Sequence, residues 1–336
     1  MPSTPAQRLG ATGRLESGAW WPLLDGLAAS RFEREWSIMI DDARQETERP
    51  RDERGVRPTI SVVTPSFDQR DFVDATLRSV VGQGYNPLEY VVIDGGSTDD
   101  SADIIARFDE HLAYWVSEPD NGHAHAVNKG FAHTSGEIMC WLNSSDMHYP
   151  WTLETVSQVF RDLPEVEWIM GLPTQFHDST GPKSVQRDVF NVYDFLAGNY
   201  HAVQQESVFW RRSLWERAGG ALNADLRFAA DFDLWLRFFS LARLHHVDTV
   251  LGGFRVHGDR LGAYERYARQ AQRLITEFAS QQDRQTLLRA RLVRATGAGH
   301  GRNQLLAKAL DKLGVCPWYR HPRVVFDFAR RRWTVA

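Results

Sequence analysis

From Pro58 onward the chain alternates short apolar runs with amphipathic ones, and this alternation constrains the fold more than any other feature. Strands are predicted over 59–64 (TISVVT), 88–94 (LEYVVID), 112–117 (LAYWVS), 138–142 (IMCWL) and 167–170, with helices over 71–81, 98–108, 124–133 and 151–160 between them. Strand–helix units of about 30 residues mark right-handed βαβ crossovers, so an α/β fold with a mostly parallel sheet flanked by helices is expected. Residues 136–150, GEIMCWLNSSDMHYP, are the centre of the pattern. The apolar run from Ile138 to Leu142 reads as a strand buried on both faces, and Pro150 is expected in the first turn of the next helix. Ligands of open α/β sheets sit outside the carboxyl ends of strands, which is where Asp146 falls.

Around this centre the chain is less regular. Trp20, Trp21, Phe32 and Trp36 suggest short N-terminal helices, and the charged stretch 41–57 reads as a linker. Residues 171–204 are expected to form loops over the site. A short strand is predicted over 206–210, a helix over 212–218 closed by Gly219-Gly220, an amphipathic helix over 231–240 and a strand over 250–257. Everything after Gly258 is expected to be helical. The 336 residues, 43% hydrophobic, suffice for one large core or two joined ones. A net charge of −4 argues against nucleic acid as the main partner. The two cysteines, Cys140 and Cys316, lie far apart and one falls in the core strand, so no disulfide and a cytoplasmic setting are expected. No apolar run reaches membrane-spanning length and no secretory leader is apparent.

Four groups at strand ends or helix starts are candidates for chemistry: Asp94, Asp146, Asp231 and His257. Asp94 precedes Gly95-Gly96-Ser97-Thr98-Asp99, a turn able to present backbone amides to a phosphate or nucleoside. For Ser97-Thr98-Asp99 helix capping is the better reading, and for Asp94 ligand contact. Asp146 suits a hard divalent cation that also binds a diphosphate, with a turn aspartate as the alternative. Asp231 is either a general base or the N-cap of its helix. His257 is either a further ligand or a structural histidine.

In this order, Thr64-Pro65-Ser66-Phe67, Ile93-Asp94-Gly95-Gly96-Ser97-Thr98-Asp99, Gly136-Glu137-Ile138 and Leu142-Asn143-Ser144-Ser145-Asp146 resemble family-2 glycosyltransferases. So do Glu206–Arg212 with Gly219-Gly220, Asp231-Phe232-Asp233-Leu234-Trp235-Leu236-Arg237 and Phe254-Arg255-Val256-His257. The resemblance covers about 58–260 and implies a GT-A type, Rossmann-like fold that transfers a sugar from a nucleotide donor with inversion. It divides the chain into an N-terminal helical extension with its linker (1–57), a glycosyltransferase domain (58–260) and a C-terminal helical extension (261–336). Within the domain, 58–150 would be the nucleotide-binding half and 151–260 the acceptor half.

Residue by residue, the resemblance implies donor contacts from Thr64, Pro65, Phe67, Asp94, Gly95, Asn128, Ser144 and Ser145, with Phe67 stacked on the base. Asp146 is the surviving aspartate of the metal motif, for Mn²⁺ or Mg²⁺, and His257 a further metal ligand. Asp231 is the catalytic base. Ser145 stands where the family usually has the first acid of its metal motif, and Gly95 where many members carry a second acid.

The chemistry agrees with these positions. A cation at Asp146 would neutralise the departing diphosphate. Asp231, with an ordinary aspartate pKa, would accept the acceptor proton without special tuning. Loops 171–205 with Gln204-Gln205-Glu206 would align the acceptor. The expected partners are a nucleotide-sugar donor, with UDP favoured by family frequency, and a glycan, lipid-linked or other glycoconjugate acceptor, as in polysaccharide biosynthesis. A sugar-1-phosphate nucleotidyltransferase would need a glycine-rich, arginine-containing loop where TPSFDQR stands. A non-catalytic nucleotide- or sugar-binding module is the third reading, opposed by the joint presence of Asp146, Asp231 and His257. The arginines between Arg284 and Arg294 and the Arg330–Trp333 tail read as solvated helix faces. Peripheral contact with the inner face of a membrane, or a homodimer through the C-terminal helices, are the alternatives.

Overall fold

The structure is a computed structural model and describes residues 56–177, 181–185, 191–198, 203–257, 261–296 and 321–336. The helices expected in the first 40 residues, the linker up to residue 55 and Cys316 lie outside the described residues.

The alternation from Pro58 builds β1 (Ile60–Ser66), α1 (Val73–Val81), β2 (Leu88–Asp94), α2 (Ser101–Ala106), β3 (Tyr114–Ser117), α3 (His123–Ala132), β4 (Ile138–Trp141), β5 (Met147–His148), α4 (Thr152–Asp162) and β6 (Trp168–Met170). β1 and β4 are buried along their whole length, as expected of strands covered on both faces. α4 buries Leu153, Val156, Val159 and Phe160, the spacing of one helical face. It begins at Thr152 after Trp151, so Pro150 lies ahead of the helix and not in its first turn.

The second half contains β7 (Thr174–His177), β8 (Gly181–Val185), α5 (Val192–Leu196), β9 (Val208–Arg211), α6 (Arg212–Arg217), α7 (Ala230–Leu241), β10 (Leu244–Val247) and β11 (Gly252–Arg255). α8 (Leu261–Ser280), α9 (Arg284–Thr296), β12 (Arg323–Asp327) and β13 (Arg332–Val335) complete the described chain. A nine-stranded sheet has the order β13-β12-β10-β6-β9-β4-β1-β2-β3. Its strands pair in parallel except β9, which runs antiparallel to both β4 and β6, and β13, which is antiparallel to β12. A smaller sheet, β5-β11-β7-β8, covers the carboxyl end of β4.

Two expectations change here. The stretch 171–204 is not loop throughout: Thr174 and Phe176 point inward while Gln175 is exposed, the two-residue period of a strand, and β7 pairs with β8. The C-terminal extension is not wholly helical either. Val324, Val325 and Phe326 pair across to Val335, Thr334 and Trp333, so the arginine-rich tail is the turn of an edge hairpin. There the Arg330 N–H donates to Asp327 Oδ1, and the Trp333 N–H to Asp162 Oδ2. Among the described residues no helix is long and apolar enough to cross a membrane.

The core is dominated by Trp141, Trp168, Trp210 and Trp235, none of them exposed. Trp235 of α7 stacks on Trp141 at the end of β4, with ring centroids 5.7 Å apart and planes at 2°, and on Trp168 at 5.9 Å. Aromatic pairs of this kind add about 0.5–1.5 kcal/mol each to what burial contributes. Residues four apart share a helix face, so anchoring Trp235 on Trp141 brings Asp231 to the end of β4 from which Asp146 follows.

Candidate active site

The loop after β1 is stapled to the loop after β2. Asp68 N–H donates to Ser97 Oγ (2.8 Å), Thr98 N–H to Asp68 Oδ1 (2.9 Å), Arg70 N–H to Asp99 Oδ2 (2.9 Å) and Gln69 N–H to Ser101 Oγ (2.9 Å). Ser97 and Thr98 therefore do not cap α2; its N-cap position, Asp100, makes no side-chain cap bond, and the first N–H of the helix, that of Ser101, is instead taken by Asp99 Oδ1 (3.1 Å). The staple presents Phe67 to solvent, 59% exposed, at the mouth of the site. A Cβ on Gly95 would lie 3.2 Å from Phe67 and 3.1 Å from Asp120 Oδ2, so the missing side chain keeps the space between them open.

Several residues expected at the donor site are placed differently. Thr64 is fully buried with its hydroxyl on Tyr90 Oη (3.0 Å), and Pro65 is also buried, so both support the strand from inside. Asp94 is fully buried, and its carboxylate accepts Ser97 N–H (2.9 Å), Ser97 O–H (2.5 Å) and Ser117 O–H (2.6 Å). It shapes the turn that carries Gly95. Asn128 clasps the Leu222 backbone through two bonds, Nδ2–H to the carbonyl (2.9 Å) and Oδ1 from the N–H (2.7 Å), tying α3 to the loop before α7. Ser144 is buried, and the Ser145 carbonyl accepts from Arg255 Nε (2.7 Å).

Asp146 is 1% exposed. Its Oδ1 accepts the Arg255 N–H (3.0 Å) and its Oδ2 the Asn143 amide (3.1 Å), and His123 meets Asn143 Oδ1 at 2.8 Å. The Arg255 guanidinium lies between the rings of Phe72 (5.0 Å) and Phe176 (4.8 Å), a buried cation held by cation–π contact beside that carboxylate. His257, two residues on, packs its ring on Phe72 with centroids 4.5 Å apart. Among the described residues no three His, Cys, Asp or Glu side chains converge as a metal cage. The donor set does fit a hard cation that takes its other ligands from a diphosphate: Asp146 stands near Glu206, whose buried Oε1 has no hydrogen-bond partner.

Glu206 was expected to align the acceptor together with Gln204 and Gln205, but Gln205 and Glu206 are buried. The Gln205 amide donates to the Trp141 carbonyl. Burial first, then the charges of Asp146 and Asp231, hold the Glu206 carboxyl well above the usual carboxylate range. Gly252 makes this approach feasible, since a Cβ there would lie 2.2 Å from the Glu206 carbonyl oxygen.

Asp231 lies in the first turn of α7, half-buried, and does not cap it; the N-cap is Ala229. Its Oδ1 accepts the Phe232 N–H (2.7 Å) and its Oδ2 faces Tyr267 Oη of α8 at 3.4 Å. Burial pushes this carboxyl from 3.8 up to about 6, against those two hydrogen bonds, which lower it. The expectation of an untuned aspartate is therefore corrected: burial shifts Asp231 upward, toward the range in which a base is most effective. The site thus assembles an exposed aromatic, an open glycine turn, an acidic pair and a tuned carboxylate along one edge of the sheet. Asp120, Arg255 and Tyr267 are the members of this surface to which the sequence alone assigns no specific role, and Glu206 is buried beside Asp146 where acceptor alignment was expected of it.

The family model for glycosyl transferase family 2 matches residues 61–219. An uncharacterized glycosyltransferase of Mycobacterium tuberculosis is 35% identical over 208 residues, spanning 60% of this chain and 76% of that protein. Among solved structures, Staphylococcus aureus TarS 1–349 in complex with UDP-GlcNAc superposes with a TM-score of 0.56 at 15% identity, over 76% of this chain and 77% of that one. The mannosyltransferase PcManGT of Pyrobaculum calidifontis, in complex with GDP-Man and Mn²⁺, gives 0.51 at 18% identity, over 87% and 91%. The sheet described above is the GT-A type fold of these neighbours. With 35% of the aligned residues shared over three quarters of a glycosyltransferase, and the family model spanning β1 to β9, the chain is a glycosyltransferase and belongs to glycosyl transferase family 2.

Proposed function

We propose that the protein is an inverting transferase that moves a sugar from a nucleoside-diphosphate sugar to a hydroxyl of a glycan, lipid-linked or other glycoconjugate acceptor, with Asp231 as base. The observation that carries this reading is the setting of Asp231: a half-buried carboxylate at the head of α7, held on both oxygens and raised to about 6. The acceptor oxygen attacks the anomeric carbon from the face opposite the diphosphate. Its C–O bond forms as the bond to the diphosphate oxygen breaks, and the hydroxyl proton passes to Asp231.

Phe67 offers a face on which the nucleobase stacks, and Gly95 leaves room for the nucleoside beside Asp120. Asp146, with Glu206 behind it, is where Mn²⁺ or Mg²⁺ would be shared with the diphosphate, supplying neutralisation of the leaving group. Arg255 contributes a fixed positive charge to the same corner. The neighbours crystallised with UDP-GlcNAc and with GDP-Man and Mn²⁺ support a nucleotide-sugar donor and a divalent ion, and UDP is our choice of nucleotide. Calorimetry with UDP, GDP and their sugars, each with Mn²⁺, Mg²⁺ or EDTA, tests the reading. Metal-dependent binding of one nucleotide is expected, and no binding under any condition would reject a donor site.

A further inference from the structure

α7 and α8 both lie beyond the span matched by the family model, and two side chains of α8 reach the head of α7. Gln270 Oε1 accepts both the Phe228 N–H (3.0 Å) and the Ala229 N–H (2.8 Å), in the segment that enters a helix with no side-chain cap of its own. Tyr267, three residues earlier and so on the same face of α8, directs its hydroxyl at Asp231 Oδ2. We infer that α8 is a working part of the active site, with Tyr267 the positioning residue that orients the Asp231 carboxylate and Gln270 the brace that fixes the backbone carrying it.

The two oxygens of Asp231 are distinguished by these contacts. Oδ1 is taken by the N–H of its own neighbour, which fixes the plane of the carboxylate. Oδ2 has its partner on a different helix, at 3.4 Å, longer than an ordinary O–H···O bond. Catalytic hydrogen bonds in ligand-free sites are often long and tighten when substrate arrives, and a hydroxyl on α8 that closes onto a charged carboxylate strengthens as it does so. Among the described residues, the other ionisable groups named near Asp231 are Glu206, from the turn before β9, and on its own helix Asp233, which is engaged by Arg237. Of the groups around it, the Tyr267 hydroxyl is thus the side-chain donor that favours the ionised form of Asp231.

This inference rests on the reading of Asp231 as base, and its test separates the two. The full chain, labelled with ¹³C at aspartate carboxyls, is titrated by NMR as wild type and as Tyr267→Phe, the Asp231 signal being assigned by its loss in Asp231→Asn. Removing one hydroxyl is expected to raise the Asp231 midpoint by about half to one pH unit. In parallel, nucleoside diphosphate release from UDP-GlcNAc and GDP-mannose is followed against pH. The acid limb should move by the same amount and the plateau turnover fall several-fold, with the donor KM unchanged. An unmoved midpoint overturns the role of Tyr267. A moved midpoint with an unmoved acid limb upholds the contact and overturns Asp231 as base. For the brace, Gln270→Leu is expected to broaden and shift the Asp231 signal and Gln270→Glu, which keeps the acceptor, to preserve its line width. Equal responses from the two would overturn the role of Gln270.

Discussion

Replacing Asp231 by asparagine should make the protein more stable, and only above a defined pH. In the folded chain this carboxyl is raised from 3.8 to about 6, chiefly by burial. Protonated, it sits at no electrostatic cost; ionised, it is held where water cannot fully solvate it. A raised folded pKa means that the folded state binds more protons than the unfolded one across that interval. The group's favourable contribution is therefore complete below pH 3.8 and is lost as pH rises through 6. Each pH unit of displacement corresponds to about 1.4 kcal/mol, so a displacement of roughly two units sets a ceiling of about 3 kcal/mol. Asp231 is only half-buried and solvent screens part of this, which leaves about 1–2 kcal/mol. The asparagine keeps the shape and an oxygen for the Phe232 N–H while removing the charge. Urea unfolding of wild type and Asp231→Asn is the assay. The two should have nearly equal stabilities at pH 4, and the variant should be more stable by about 1–2 kcal/mol at pH 7.5. A variant that is less stable at pH 7.5, or a difference that does not grow between pH 4 and 7, would refute the view that the fold strains this carboxylate for use.

The same displacement predicts an acid limb in turnover centred near pH 6: at pH 5 roughly a tenth of the enzyme would hold an ionised base, whereas an unshifted aspartate would leave the rate almost flat down to that pH. Nucleotide release measured from pH 4.5 to 8 distinguishes the two. Asp146→Asn retains an acceptor for the Arg255 N–H but removes the charge. Calorimetry should find that Mn²⁺ no longer strengthens nucleotide binding while affinity in EDTA is kept, and an undiminished Mn²⁺ effect would move the ligand elsewhere. Gly252→Ala should destabilise by about 1–3 kcal/mol, because its Cβ would meet the Glu206 carbonyl at 2.2 Å. Unchanged urea unfolding of that variant would contradict the close packing of β11 on the turn that carries Glu206.

What was legible in the chain depended on how local the signal was. β1 and β4 could be read because burial on both faces leaves an unbroken apolar run, and Asp146 and Asp231 because each sits where such a run ends or a helix begins. Ser97 and Thr98 look like a helix start in a short window, yet they bond Asp68 on another loop, about 30 residues away, and Asp99 divides its carboxylate between that loop and the first N–H of the helix. Thr64 shares a motif with Phe67, but strand alternation and the Tyr90 hydroxyl turn it into the core. Gln204-Gln205-Glu206 reads as exposed polar chain. Gln205 and Glu206 are nevertheless buried, because Gly252 allows β11 to close over Glu206, a contact between residues 46 apart that no local pattern records. Tyr267 and Gln270 belong to a stretch that reads as helix, but its partner, the head of α7, is set by the fold and by no local pattern. The C-terminal hairpin was missed because its alternation spans only four or five residues per strand beside an arginine-rich turn.

The most direct test of Asp231 as the base of a sugar transfer compares donor binding with turnover in Asp231→Asn. Using the nucleotide sugar selected by calorimetry, we expect its Kd to stay within a few-fold of wild type while turnover falls by about 10²–10⁴, the share that a positioned base contributes. Turnover within a few-fold of wild type, with binding equally intact, would show that the proton leaves by another route and that Asp231 is not the base.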